Sequence, residues 1–216
     1  MSEKVRKNGF ITPFALLCFL QFLLVFSMNW SLVTDDLYYN TLGDQLSFER
    51  INELIDLNKK WNWVIYLITP MLYLLKFFLV AICLSMGVFL FRFEVGLKVL
   101  FKIALLSEFI FLFPSIIKLF WFNLVSASYT FTDLQSFAPL SIVNLFDRAN
   151  LDTWLLYPLS LLNLFEVTYI ITLAYLLSGA IKSDFILSLK LVVFSYGAGL
   201  FIWALFITFL TVSLIA

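Results

Sequence analysis

Three ionisable residues stand inside apolar stretches: Lys76 in PMLYLLKFFLVAIC, Glu108 in LLSEFIFLF and Glu166 in LLNLFEVTYII. One ammonium and two carboxylates can make an ion pair, an ion path, or a site where two acids share one proton. Each residue sits near the middle of its stretch, Glu108 being off-centre by about 4–5 Å of helical rise. Placing such a charge at mid-bilayer costs roughly 2.5–3.5 kcal/mol. The Leu, Ile, Val and Phe residues of one stretch offset that by roughly 5–10 kcal/mol. The stretches can therefore insert, provided the charges turn inward.

Helical spacing names their companions. Thr69, Tyr73, Lys76, Cys83 and Gly87 share a face of the second stretch. Ala104, Glu108 and Ser115 align on the third, with Lys118 toward the edge, and Asn163 lies beside Glu166 on the fourth. Polar and small stripes of this kind point at neighbouring helices. Lys76 is thus expected to pair with Glu108, Glu166 or both. A structural reading makes the group a neutralised pair that sets helix register; a functional reading makes it a proton relay or ion path. With no His, no paired aspartates and no broken-helix signature, the structural reading is the simpler. Pro114 is the helix-kink signal of the third stretch.

Composition sets the solvent. Of 216 residues 62% are hydrophobic and 13% charged, at zero net charge. A soluble domain carries about twice that share of charge. Zero net charge gives no sign of a nucleic-acid partner. The absence of His removes the commonest metal ligand and general base. Cys18 and Cys83 sit in apolar runs without CxxC spacing and read as core residues. Nothing forms a triad, a phosphate loop or a metal set, so neither enzyme nor cofactor is expected.

The expected fold is all-α: a single integral membrane domain over residues 1–216, forming a polytopic transmembrane helix bundle. Its five spans run about Phe10–Trp30, Trp63–Phe91, Val99–Asn123, Trp154–Leu177 and Phe185–Ile215. The first reads as a retained anchor, since its apolar run exceeds that of a signal peptide and no A-x-A-like site follows. Lys4, Arg6, Lys7, Arg92, Lys98, Lys102, Lys182 and Lys190 fall on one side, against Arg50, Lys59, Lys60 and Arg148 on the other. That bias predicts a cytoplasmic amino terminus and an outside carboxyl terminus. It also places the longer connections, 31–62 and 124–153, outside.

Within the first connection, SFERINELIDLNKKW (47–61) predicts a short helix capped by Ser47. Its apolar face of Phe48, Ile51, Leu54 and Ile55 is expected to rest on lipid headgroups, or to act as a lid. The piece from Leu140 to Phe146 is expected to dip into the interface. Trp30, Trp61, Trp63, Trp121 and Trp154 mark span ends as an aromatic belt. Ser195-x-x-x-Gly199 in the fifth span is a small-residue contact motif.

Two segments, SLLNLFEVTYIITLAYLLSGAIKSDFILSLKLVVFSYGAGLFIWALF (160–206) and KVLFKIALLSEFIFLFPSIIKLF (98–120), resemble the bacterial branch of the Yip (Rab/Ypt-interacting protein) domain family. The shared features are an Asn-Leu-Phe start, a Gly-ended fourth span, a short basic turn, a long last span and a proline past the middle of the third. The resemblance implies a non-enzymatic, multi-pass protein of the bacterial inner membrane, acting as a scaffold or partner-binding subunit. Its implied partners are the bilayer, other membrane proteins or a second copy of the chain. It carries over no ligand or catalytic residue. Eukaryotic members meet small GTPases through a long cytosolic amino-terminal region, and the few residues before Phe10 do not match it. The alternative is a transporter or permease component that uses Lys76, Glu108 and Glu166.

Overall fold

In hydrocarbon a backbone must satisfy its own hydrogen bonds, and long apolar runs do so as helices. The computed structural model describes residues 9–126, 128–147 and 151–215. Lys4, Arg6, Lys7 and Arg148, which enter the charge bias, lie outside them. In chain order the helices are α1 (Ile11–Ser31), α2 (Asp35–Leu42), α3 (Phe48–Trp61), α4 (Trp63–Leu90), α5 (Leu97–Ser107), α6 (Leu112–Leu124), α7 (Phe131–Ser136), α8 (Thr153–Leu161), α9 (Leu164–Ile181), α10 (Phe185–Val192) and α11 (Ala198–Ile215). Among the described residues, five stretches are long and apolar enough to cross a membrane: Ile11–Ser31, Trp63–Leu90, Leu97–Leu124, Leu164–Ile181 and Phe185–Leu214. The architecture is that of a multi-pass, all-helical membrane protein.

The third and fifth of these stretches are irregular, and a break precedes the fourth. Between α5 and α6 the chain tightens into a 3-10 turn, Glu108–Phe111. Pro114 has no N–H to give the Ile110 carbonyl, and its ring crowds that group. The distortion expected from the proline therefore falls in the turn before it. The fourth stretch departs most from expectation. A continuous span from Trp154 to Leu177 is replaced by α8 and α9, separated by Leu162 (φ −79°, ψ 80°) and an extended Asn163 (φ −132°, ψ 162°). The apolar run is thus a broken helix, and Glu166, expected at the middle of its span, lies instead in the first turn of Leu164–Ile181. In the fifth, a π-turn over Val193–Gly197 joins α10 to α11.

The chain divides into two compact units. One contains Leu75–Phe111 and the residues from Ala138 onward, together with the first residues up to Phe14. Here α10 packs along α9 and α11 along α8, so the halves of the broken fourth stretch lie against the halves of the fifth. The 3-10 turn and α5 pack on α9 as well. Phe77, Leu84, Leu100, Ile103, Leu173 and Leu191 are fully buried among them. Gly87 and Gly199 permit the closest approaches. A Cβ on Gly87 would lie 2.7 Å from Ser195 Cβ, and one on Gly199 would lie 2.7 Å from Cys83 Sγ. The Ser195-x-x-x-Gly199 motif therefore meets the Cys83 and Gly87 face of α4, as small residues at a helix contact should.

The other unit comprises Ala15–Leu74 and Leu112–Phe137. Leu32, Leu37, Phe122 and Leu134 form its core, with Met28, Leu119, Tyr129, Phe131 and Phe137 packed around them. Two of its short helices are capped by side chains. Ser47 accepts from the Arg50 N–H at the start of α3, and Thr130 and Asp133 form a reciprocal capping box on α7. Ile51 and Ile55 are buried in the protein rather than turned toward headgroups, which corrects the expected orientation of α3. α3 packs on α2 instead, with Tyr39 stacked on Phe48 at 5.3 Å and donating to Asn52 Oδ1 at 2.7 Å. Lys59 and Asp35 close the same pair of helices with an exposed ion pair of 3.0 Å.

Candidate functional site

Each of the three helix irregularities presents one polar residue. The 3-10 turn begins at Glu108. The restart after the break places Glu166 in the first turn of α9, where the Asn163 side chain caps its N–H at 2.8 Å. The π-turn carries Tyr196, whose hydroxyl donates to Glu166 Oε1 at 2.7 Å. Lys76, halfway along α4, donates to Glu108 Oε1 at 2.6 Å. The expected pairing of Lys76 therefore resolves in favour of Glu108. Glu166 is bonded to a tyrosine and remains within electrostatic reach of Lys76 and Glu108.

The ammonium is held on more than one side. Lys76 Nζ lies 4.1 Å from the centroid of the Phe111 ring and 5.7 Å from that of Tyr169. Both are distances at which an aromatic face attracts a cation. Tyr169 in turn packs against Phe111 at 5.0 Å and against Tyr196 at 5.4 Å. Glu108 is 2% exposed on its side chain, whereas Lys76 is 40% exposed, so the pair opens along the lysine.

Polar bookkeeping inside the centre is incomplete. Glu108 Oε2 and the hydroxyls of Ser107 and Tyr169 are buried without a hydrogen-bond partner. Buried polar groups are nearly always paired, and an orphan carboxylate oxygen together with an orphan phenol in one centre is an arrangement that stability alone does not favour. Of the remaining face residues, Thr69, Tyr73, Ser115 and Lys118 belong to the other unit. Thr168 and Thr172, away from Glu166, bond to their own helix at Leu164 O and Thr168 O.

The break is built, not merely tolerated. The segment from Leu140 to Ile142 lies antiparallel to Leu162–Leu164: Ile142 N donates to Leu162 O at 3.0 Å and Leu164 N to Leu140 O at 3.1 Å. Ser141, buried between them, donates to the Leu159 carbonyl at 3.0 Å. The apolar piece from Leu140 to Phe146 thus docks on the broken helix and satisfies backbone groups that hydrocarbon cannot. Sequence reasoning missed this, and it missed Tyr196. The signal for the first was present: Asn163-Leu-Phe-Glu166 has the spacing of a helix start. Unlike a true capping box, Glu166 does not turn back to Asn163 but reaches Tyr196.

Compared with known protein families, characterised proteins and solved structures, the chain matches none.

Proposed function

We propose that this chain is a non-enzymatic, multi-pass membrane protein acting as a transporter or permease component, with Lys76, Glu108 and Glu166 as its working centre. One observation carries the reading. A 3-10 turn begins at Glu108, a helix break precedes Glu166, and a π-turn carries the Tyr196 that bonds Glu166. Broken helices are the means by which transporters bring helix ends and backbone groups to an intramembrane site, and π-turns recur at functional sites. A centre needed only for helix register has no use for three distortions.

The test is solvent access. With Cys18 and Cys83 replaced by Ser, Phe111→Cys should react with an impermeant thiol reagent in sealed vesicles, because on the transport reading the exposed side of the Lys76 ammonium meets water. Leu79→Cys, exposed on the same helix as Lys76, should stay unmodified in lipid. Protection of both positions, from both sides of the vesicle, would overturn transport.

The scaffold reading, which the Yip resemblance implies, is favoured by a different feature. No described residue of α11 is fully buried, so the apolar surface it does not place against α8 and Cys83 is left to lipid, another membrane protein or a second copy. Either role places the chain in a cell membrane, the bacterial inner membrane under the Yip resemblance, with the amino terminus cytoplasmic and the carboxyl terminus outside. An alkaline phosphatase fusion should then be active after Ala216 and inactive after Lys182.

A further inference from the structure

We infer that the Lys76–Glu108–Glu166 centre binds one proton, held at rest by Glu166 and transferable to Glu108, with Lys76 as the counter-charge that changes partner. The inference rests on the transport reading and names its coupling ion.

The ionisable groups facing the centre are Lys76 from α4, Glu108 from the 3-10 turn, Glu166 and Tyr169 from α9, and Tyr196 from the π-turn. On the packed neighbours, Lys98 of α5 and Lys190 of α10 are exposed and Lys102 of α5 is partly so. Lys76 and Glu108 neutralise each other at 2.6 Å. A second ionised carboxylate would leave one buried negative charge without a counter-ion, which is strongly unfavourable away from water. A proton on Glu166 removes it. Tyr196 can then still donate to Oε1, since the carbonyl oxygen of a carboxylic acid accepts.

An independent observation supplies the destination. Glu108 Oε2 is buried with no donor, and the Tyr169 hydroxyl is buried with no acceptor. A mobile proton can use both: an oxygen free to receive it, and an unpartnered phenol at the same centre to stabilise the charge it leaves. The step balances. The O–H bond of Glu166 breaks, an O–H bond forms at Glu108 Oε2, and the ammonium of Lys76 keeps its protons while its hydrogen bond passes from Glu108 to the new carboxylate. Net charge is unchanged throughout.

Helix dipoles bring the two states closer in energy. Glu166 lies in the first turn of α9, where the positive helix end favours a carboxylate. Glu108 caps the carboxyl end of α5, where the negative end opposes one. Lys76 on Glu108 counters that difference, so neither carboxylate is fixed as the permanent anion.

Infrared difference spectroscopy of the full chain in nanodiscs at neutral pH tests the count, using the protonated-carboxyl stretch as readout. The parent should show one buried acid. Glu166→Gln should lose the band, and Glu108→Gln should lose it too, because Lys76 is then free to hold Glu166 as the anion. Lys76→Met should double it, and Lys76→Arg, which keeps the charge, should leave one. A parent without the band, or an intensity unaltered by all four substitutions, would overturn the proposal. So would a parent band that disappears on adding sodium ions, since the site would then take a metal cation in place of the proton. Labelling at Phe111→Cys is scored separately, so a failed proton count and a closed centre are distinguishable.

Discussion

The two units solve the problem of polar groups in opposite ways. In the unit built from Ala15–Leu74 and Leu112–Phe137, the charges of Lys59, Asp35, Arg50 and Glu53 stay exposed and paired, and the core of Leu32, Leu37, Phe122 and Leu134 is purely apolar. In the other, two carboxylates are buried, a helix is broken beside one of them, and three polar oxygens lack partners. Local rules and packing agree in the first and conflict in the second. Such conflict is retained where it serves a function, and elsewhere sequences tend to lose it.

Substitutions can sharpen that contrast. The largest effect is expected at the centre. Lys76→Met forces the buried Glu108 to fold with a proton taken up from neutral solution, at a cost of about 3–5 kcal/mol. The loss should shrink as pH falls, because a protonated Glu108 no longer needs the ammonium. Adding Glu108→Gln should restore most of the lost stability. Thermal melting in detergent reads all three, and a single variant as stable as the parent would break the contrast. Next comes Leu37→Ala, which opens the apolar core at a cost of about 2–5 kcal/mol that is independent of pH. Equal pH dependence in both variants would mean that the units do not differ as described.

Gly87→Ala should cost about 1–3 kcal/mol, since its Cβ meets Ser195 and Leu191 within van der Waals contact. Gly179→Ala, with nothing within 4 Å, should leave the melting temperature unchanged or raise it. The smallest effect is expected at the α7 cap. Thr130→Ala should cost about 0.5–2 kcal/mol, read by hydrogen exchange of the α7 amides. Hydrogen bonds from the Thr130 backbone N–H and hydroxyl hold the Asp133 carboxyl below its ordinary value. That contribution is complete above the unfolded value of about 3.9 and disappears as pH falls through the lower folded one. Protection of α7 should therefore fall in strong acid in the parent and change less in Thr130→Ala.

Much of this was legible in the sequence, for reasons that also explain the rest. Helix ends near Phe10, Trp63 and Phe185 follow from hydropathy alone, and Ser47 marked the start of α3 through its capping chemistry. That Lys76 would meet a carboxylate was legible from its depth in an apolar stretch, but spacing left Glu108 and Glu166 as equal candidates, and the geometry selects Glu108. The break at Asn163 was obscured because its flanks, Leu161, Leu162, Leu164 and Phe165, keep the stretch uniformly apolar, and hydropathy does not register a change of backbone direction. Tyr196 was out of reach for another reason. In a regular helix its face follows from spacing, but a π-turn shifts that spacing, and nothing in VVFSYGAG announces it. Ile51 and Ile55 were correctly placed on one face; periodicity identifies a face without saying whether lipid or protein covers it.

The pairing of Leu140–Ile142 with Leu162–Leu164 bears on how the chain is made. A ribosome delivers the docking segment before the partner it closes upon, and α8, at 9 residues, is too short to cross a bilayer alone. The insertion machinery would therefore receive α8 and α9 as one apolar length and pass it into lipid whole. Only afterwards would the waiting segment fold back and part them at Asn163. The centre would then be assembled during maturation rather than at insertion. Substitutions at Ser141 should accordingly yield a protein that is inserted with its full complement of spans yet remains susceptible to proteolysis near Asn163.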